Sequence, residues 1–302
     1  MGVKLSLRAA QTEFIASTSA SGKASPAVWD RIAARSQPSW YLDPLVAEQK
    51  RQAHLDLIRR WIGSSVSGTV LKTDLFEEAY GRDRILFGLF PGAQQVIGVD
   101  VSSRTVHAAR ARCLDPNIRF VVSDVRHLPL LSGSVDLILS TSTLDHLGKE
   151  EHFQEAIAEL CRLLRPGGTV VITLDNPENP LFHVLRWVSR LGWAPFPLGF
   201  TASRRQLNSY LSEEGLEVLA NEWLIHNPRL FSTAIVLTLR KILGRHGDIL
   251  ILGLLRLFAL LGHLPSRRFT ACFVAACARK PMATAGEMAT GSPRRATAGK
   301  RR

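Results

Sequence analysis

Acidic residues follow the short apolar runs in the first half of the chain: Asp74 and Glu77 after "TVLKT", Asp100 closing "QVIGVD", Asp124 behind "IRFVV" and Asp145 past "VDLILST". A carboxylate at the end of an apolar strand sits at the rim of a sheet, where it accepts hydrogen bonds from hydroxyl, amine or ammonium groups. Ser140 and Thr141 bring two hydroxyls to the same rim at the end of the fourth run. His146, next to Asp145, carries an imidazole that can take a proton from a reacting group. His127 and His183 are less well placed for that work. The four cysteines (Cys113, Cys161, Cys272 and Cys277) form no CxxC pair and stand at no zinc-ligand spacing to a histidine. Reduced thiols and no metal centre are therefore expected, in keeping with a cytoplasmic location.

These groups need a frame. From residue 69 to about 175, apolar runs ("TVLKT", "QVIGVDV", "IRFVVSD", "VDLILST", "GTVVITL") alternate with the helical segments "RTVHAARARCL" and "KEEHFQEAIAELCRLLR". Strand and helix in alternation at this spacing build βαβ units, and so a parallel sheet with helices on both faces. Ligands of such sheets bind at the carboxyl ends of the strands, which is where the acids lie. A helix at "SRRQLNSYLSEEG", a strand at "LEVLANEWL" and a last strand at "RFTACFVAACA" complete the α/β fold. The divisions are an arm over 1–25, N-terminal helices over 26–68, the main domain over 69–280 with an apolar helical insertion at 228–267, and a basic tail over 281–302.

Taken in order, "VIGVDVS", "FVVSDVRHLPL", "GSVDLILSTSTLDHL", "LLRPGGTVVIT" and "SRRQLNSYLSEEGLEVL" resemble the class I S-adenosylmethionine-dependent methyltransferases of the small-molecule type, which includes the quinone C-methylases. The resemblance implies a Rossmann-like sheet of seven mostly parallel strands and S-adenosylmethionine as cofactor. It implies that Asp100, with Gly98 and Val101 around it, accepts from the ribose hydroxyls. Asp124 would accept from the adenine amino group, with Val125 at the ring, and Ser140 and Thr141 would line the crevice. Asp145 and His146 would face the methyl acceptor. The same residues also suit plainer work, Asp100 as a helix cap and Asp124 as a turn residue.

The first turn departs from the family pattern of an acid followed by glycines. Lys72 stands where the acid is expected and Asp74 where the first glycine is, with 28 positions from Lys72 to Asp100. S-adenosylmethionine carries a sulfonium and an ammonium and no phosphate, so acids at this turn suit it and would repel a pyrophosphate. Asp74, with Glu77, is read as the ammonium partner in a modified loop. The other reading is a silent binding module that keeps the sheet but has lost the donor.

The chain has 302 residues and a net charge of +12, and half of that excess comes from seven basic residues against Glu287 beyond residue 278. No recognition motif accompanies it, so specific nucleic-acid binding is not expected. "SWYLDP" puts Trp40 and Tyr41 where lid helices fold over the cofactor in relatives. Within the insertion, "ILILGLLRLFALLG" (249–262) reads as too short to span a bilayer. The whole insertion can bound a lipophilic acceptor pocket, rest on a membrane surface or form a dimer face. The expected activity is methyl transfer to a small acceptor, with a lipophilic one admitted by that stretch.

Overall fold

A computed structural model describes residues 26–35, 43–63, 66–82, 84–87, 89–191 and 198–282. The arm over 1–25, Trp40 and Tyr41, and the tail from residue 283 lie outside these described residues.

Seven strands form one sheet: β1 (Thr69–Thr73), β2 (Gln95–Asp100), β3 (Ile118–Val122), β4 (Val135–Thr141), β5 (Leu164–Asp175), β6 (Glu217–Leu224) and β7 (Phe273–Arg279). Their order is β3-β2-β1-β4-β5-β7-β6. The first five strands run parallel, and β7 is antiparallel to both β5 and β6. In register, Val70 pairs with Val96 and Leu137, while Leu71 pairs with Ile97 and Ile138. Alternate residues point to opposite faces. Val70, Val96 and Leu137 accordingly join one buried cluster with Leu57 and Ile58, whereas Leu71, Ile97 and Ile138 join the other with Phe153 and Ile157. Burial on both faces explains why these strands read as continuous apolar runs.

The described helices, in chain order, are α1 (Pro26–Arg35), α2 (Pro44–Ile62), α3 (Phe76–Ala79), α4 (Ser103–Arg112), α5 (Glu150–Leu163), α6 (Pro180–Arg190), α7 (Arg204–Glu213), α8 (Arg229–Leu243), α9 (Asp248–Ala259) and α10 (Arg267–Thr270). Side chains cap the starts of four of them, α2, α4, α6 and α7. Asp43 and Asn179 cap α2 and α6 ahead of a proline at the first position, and Ser203 forms a capping box with Gln206 on α7. Ser102 caps α4 through Thr105 N–H and also donates to Asp30 of α1, 2.6 Å away. That bond ties the N-terminal helix to the carboxyl end of β2.

Two expectations change. The last strand, read as starting at Arg268, starts at Phe273, because residues 267–270 turn as a short helix. The apolar run is also longer than 249–262: Phe231–His263 is continuous helical structure, long and apolar enough to cross a membrane by length and composition. It is not straight. Gly244 takes a positive φ of 55° and breaks the run into α8 and α9. The two arms pack on each other through Val236, Ile251 and Leu255, and against Leu45 and Val46 of α2.

Candidate functional site

A cavity of about 610 Å³ opens at the carboxyl ends of β1, β2 and β4, within the ~300–1,000 Å³ range of small-molecule sites. Its walls come from the sheet rim, from Trp29 of α1, Val46, Lys50 and His54 of α2, and from α6 and α8. Of the residues expected from sequence, Asp74, Glu77, Asp100, Val101, Asp124, Val125, Thr141, Asp145 and His146 all line it. Gly98 and Ser140 do not.

Those two serve packing. A Cβ on Gly98 would meet Leu75 Cδ2 at 2.7 Å and Leu86 Cδ2 at 3.0 Å, so the missing side chain lets the first loop close over β2. Ser140 is fully buried and accepts from Thr73 Oγ1 at 3.0 Å, one rung of a hydroxyl ladder that Thr143 continues at 2.8 Å.

The first loop is rebuilt around reversed charges. Lys72 Nζ lies 3.0 Å from Glu78 Oε2, with both side chains buried, and also donates to the Asp74 carbonyl. Glu78 Oε1 accepts from the Ile85 and Leu86 amides at 3.2 and 3.0 Å. Glu78 is wholly buried and is not among the cavity-lining residues, so this acid of α3 holds the loop. Asp74 has φ 66°, the left-handed region that suits the glycine expected there, and its Oδ1 accepts from Phe76 N–H at 2.7 Å. Aspartate tolerates that conformation better than most residues because its short side chain bonds locally.

Asp100 spans the loop and the next helix. Its Oδ2 accepts from Leu75 N–H at 2.9 Å and its Oδ1 from Ser102 N–H at 2.8 Å. Ser102, not Asp100, is the cap of α4. Burial, and then the neighbouring Asp74, push the Asp100 pKa up to about 7. Burial likewise raises Asp74, against the pull of Lys72. The charge of one carboxyl thus disfavours ionisation of the other. Asp124 behaves oppositely. Burial raises its pKa, but Arg126, donating through Nε at 2.9 Å and through its backbone N–H at 3.0 Å, holds it below the ordinary carboxylate range. Glu77 is paired with Lys50 at 3.2 Å, which places an α2 cation against the first loop.

At the far end, Asp145 Oδ2 accepts from Asp175 N–H at 2.8 Å, while its Oδ1 is buried with no hydrogen-bond partner among the described residues. Burial raises the Asp145 pKa to about 6, with Asp175 adding to the shift and His146 opposing it. Asp175 in turn pairs with Arg229 at 2.6 Å, and Arg229 lies 4.3 Å above the Phe273 ring. His146 meets the edge of Trp29 at 5.1 Å between ring centres. Ser142 Oγ, with its backbone in the left-handed region, is a second orphaned polar atom on the cavity wall. His54 lines the floor as a neutral ring, its pKa lowered to about 3 by burial and by Lys50. His127 and His183 are not among the lining residues.

Several lining residues escaped the sequence reading, Trp29, Asp175 and Cys272 among them. Trp29 carried a signal, since it sits between Val28 and Ile32 on a short amphipathic helix. Asp175 and Cys272 carried none, because only the antiparallel pairing of β5 with β7 brings them together.

Residues 79–172 match the family model described as a methyltransferase domain. A probable S-adenosylmethionine-dependent methyltransferase of Mycolicibacterium smegmatis is 34% identical over 116 residues, 35% of this chain and 41% of that protein. Another from Mycobacterium tuberculosis is 27% identical over 184 residues, 58% of this chain and 55% of that one. The chain thus spans about half the length of the curated relatives it matches. Among solved structures, the N-methyltransferase NodS of Bradyrhizobium japonicum with S-adenosylhomocysteine superposes at a TM-score of 0.52, with 17% identity over 83% of this chain and 95% of that one. A complex of the Haloferax volcanii Trm112 activator with a methyltransferase gives 0.53, with 17% identity, over 83% and 98%. At that identity the likeness speaks for the fold, whereas the family match covers Asp100, Asp124 and Asp145 but begins after Asp74 and Glu77. Residues 79–172 thus match a methyltransferase domain, and the chain is similar in sequence to S-adenosylmethionine-dependent methyltransferases and in fold to methyltransferases.

Proposed function

We propose that this chain transfers a methyl group from S-adenosylmethionine to a small lipophilic acceptor bound in the same cavity. One observation carries the reading: a single cavity has an acidic rim of Asp74, Asp100 and Asp124 and an apolar wall of Leu185, Val188, Leu198 and Leu237. The orphaned Ser142 Oγ and Asp145 Oδ1 are buried polar atoms that a bound molecule would satisfy.

On this reading Asp74 and Asp100 hold the cationic amino end and the ribose hydroxyls, and Asp124 with Val125 holds the adenine edge. When bound, the donor supplies an electrophilic methyl on a sulfonium. The protein's own share is to align the acceptor and keep water out, which is where much of the rate of an in-line displacement can arise. Asp145 and His146 stand at the acceptor end, where they orient a hydroxyl or amine and take its proton if the reaction releases one.

Titration calorimetry with S-adenosylmethionine tests the donor half, and Asp74→Asn keeps the loop bond while removing the charge. Heat at micromolar donor, reduced at least about tenfold in affinity by Asp74→Asn, supports the reading. No heat at millimolar donor would make the chain a silent binding module. Labelled donor incubated with aqueous and organic-solvent extracts of the source cells tests the acceptor half, with label expected in the organic fraction.

A further inference from the structure

Helix α8 has two jobs to divide between its faces. Thr233, Ala234 and Leu237 line the cavity, yet all three are exposed, so the cavity opens along this helix. Leu185 and Val188 of α6 line the opposite lip. Around that opening the outward residues are apolar: Val184 and Trp187 on α6 are 46% and 58% exposed, and Phe231 on α8 is 62% exposed. The same character continues down the hairpin through Ile242, Ile249, Leu257 and Leu260, between 59% and 81% exposed. Water is a poor solvent for a surface of this size, and soluble chains rarely leave one uncovered.

Its charge says what covers it. From Arg229 to Arg268 the chain has seven basic residues and a single acid, Asp248. Asp248 is used up by Arg240, which also pairs with Asp43. Lys241, Arg245 and Arg256 are exposed among the apolar residues, and no ion pair among the described residues engages them. Apolar residues interleaved with unpaired cations suit the interface of an anionic bilayer, where the chains take the apolar groups and the headgroups take the charges. A second copy of the chain would set these cations against one another.

The geometry of the segment suits lying on a bilayer and not crossing one. Leu224 at the end of β6 pairs with Phe273 at the start of β7, so the segment leaves and re-enters the sheet at one place. Its arms, 15 and 12 residues long, are each short of the ~20 residues that span a hydrocarbon core.

We infer that the α6–α8–α9 face docks on an anionic lipid surface, with the cavity mouth turned to the bilayer so that a lipophilic acceptor enters from the membrane and not from water. This rests on the proposed reading only for what enters the cavity; docking itself does not depend on it.

The test is flotation of the full chain with vesicles of phosphatidylcholine alone or mixed with phosphatidylglycerol. Ile242→Glu with Ile249→Glu alters the outer face but no cavity residue, and Lys241→Glu with Arg245→Glu reverses charge there. Wild type is expected to float with the mixed vesicles, and each double variant to partition at least about tenfold less at unchanged thermal stability. Carbonate at high pH should release the bound protein. Failure of the wild type to float would overturn the proposal. So would equal flotation of the Ile242→Glu, Ile249→Glu protein, which would assign binding to another basic part of the chain. Retention through carbonate would also overturn it, as would a dimer dissociated by the same substitutions without vesicle binding. Calorimetry with S-adenosylmethionine on the same samples separates the two readings. Flotation without donor binding leaves docking standing and removes the enzyme, and donor binding without flotation does the reverse.

Discussion

Lys72 and Glu78 form a buried ion pair at 3.0 Å behind the first loop. Glu78 also holds the Ile85 and Leu86 amides, so the pair pins the turn that follows β1. A buried pair broken on one side leaves a charge without a partner. Lys72→Met should therefore cost about 3–5 kcal/mol of stability, and adding Glu78→Gln should recover part of it. Urea unfolding of the three proteins checks this; equal losses in single and double variants would show that the pair does not hold the loop.

The carboxyl pair of Asp74 and Asp100 sets a pH dependence. The Asp100 pKa stands at about 7 in the folded chain against an ordinary 3.8. Between those values the folded state keeps a proton that the unfolded chain has released, so stability falls as pH rises from about 4 to about 7 and stays low above it. Asp100→Asn removes that penalty. It also gives up one of the two backbone bonds, because an amide nitrogen cannot accept from Leu75 or Ser102 N–H, so stability at pH 4 should be lower than in the wild type and should no longer fall between pH 4 and 7. Donor affinity should move the other way. A cation favours the ionised carboxylate, so affinity rises through pH 7 in the wild type and is weak and flat in Asp100→Asn, as calorimetry across pH can show.

Gly98 separates packing from ligand contact. Alanine there would press on Leu75 and Leu86, both wholly buried, and overpacking of that kind costs ~1–3 kcal/mol. Gly98→Ala should lower the melting temperature and leave donor affinity within about threefold. A large loss of affinity at unchanged stability would return Gly98 to the cofactor site.

The frame was legible because it obeys local rules. Alternating apolar runs and helical segments dictate a parallel sheet, and such a sheet puts its ligand at the strand ends, so Asp74, Asp100, Asp124 and Asp145 could be named from sequence and do line one cavity. The rest depends on contacts distant in sequence. Nothing in "TVLKTDLFEEAYG" says that Lys72 turns to Glu78 in the core and that Glu77 turns to Lys50 at the cavity wall. Nor does the composition of 228–267 say which residues of α8 face the cavity, since both faces are apolar and only the bend at Gly244 and the packing on α2 decide it.

Asp145 is the sharpest test of the acceptor end. One oxygen is committed to the Asp175 amide, and the other is buried on the cavity wall without a partner among the described residues. An acceptor hydroxyl or amine donating to that oxygen would gain a charge-assisted bond worth ~1.5–3 kcal/mol, or roughly ten- to hundredfold in affinity. Asp145→Asn keeps the acceptor for Asp175 N–H and offers an amide donor where the free oxygen was. Its acceptor KM should rise by that factor while the affinity for S-adenosylmethionine is unchanged. Because the Asp145 pKa stands at about 6, the wild-type kcat/KM should climb as pH rises through 6, and the variant should lose that limb. If the limb survives in Asp145→Asn, the titrating group is another one, and His146→Gln then shows whether it is the imidazole beside Trp29.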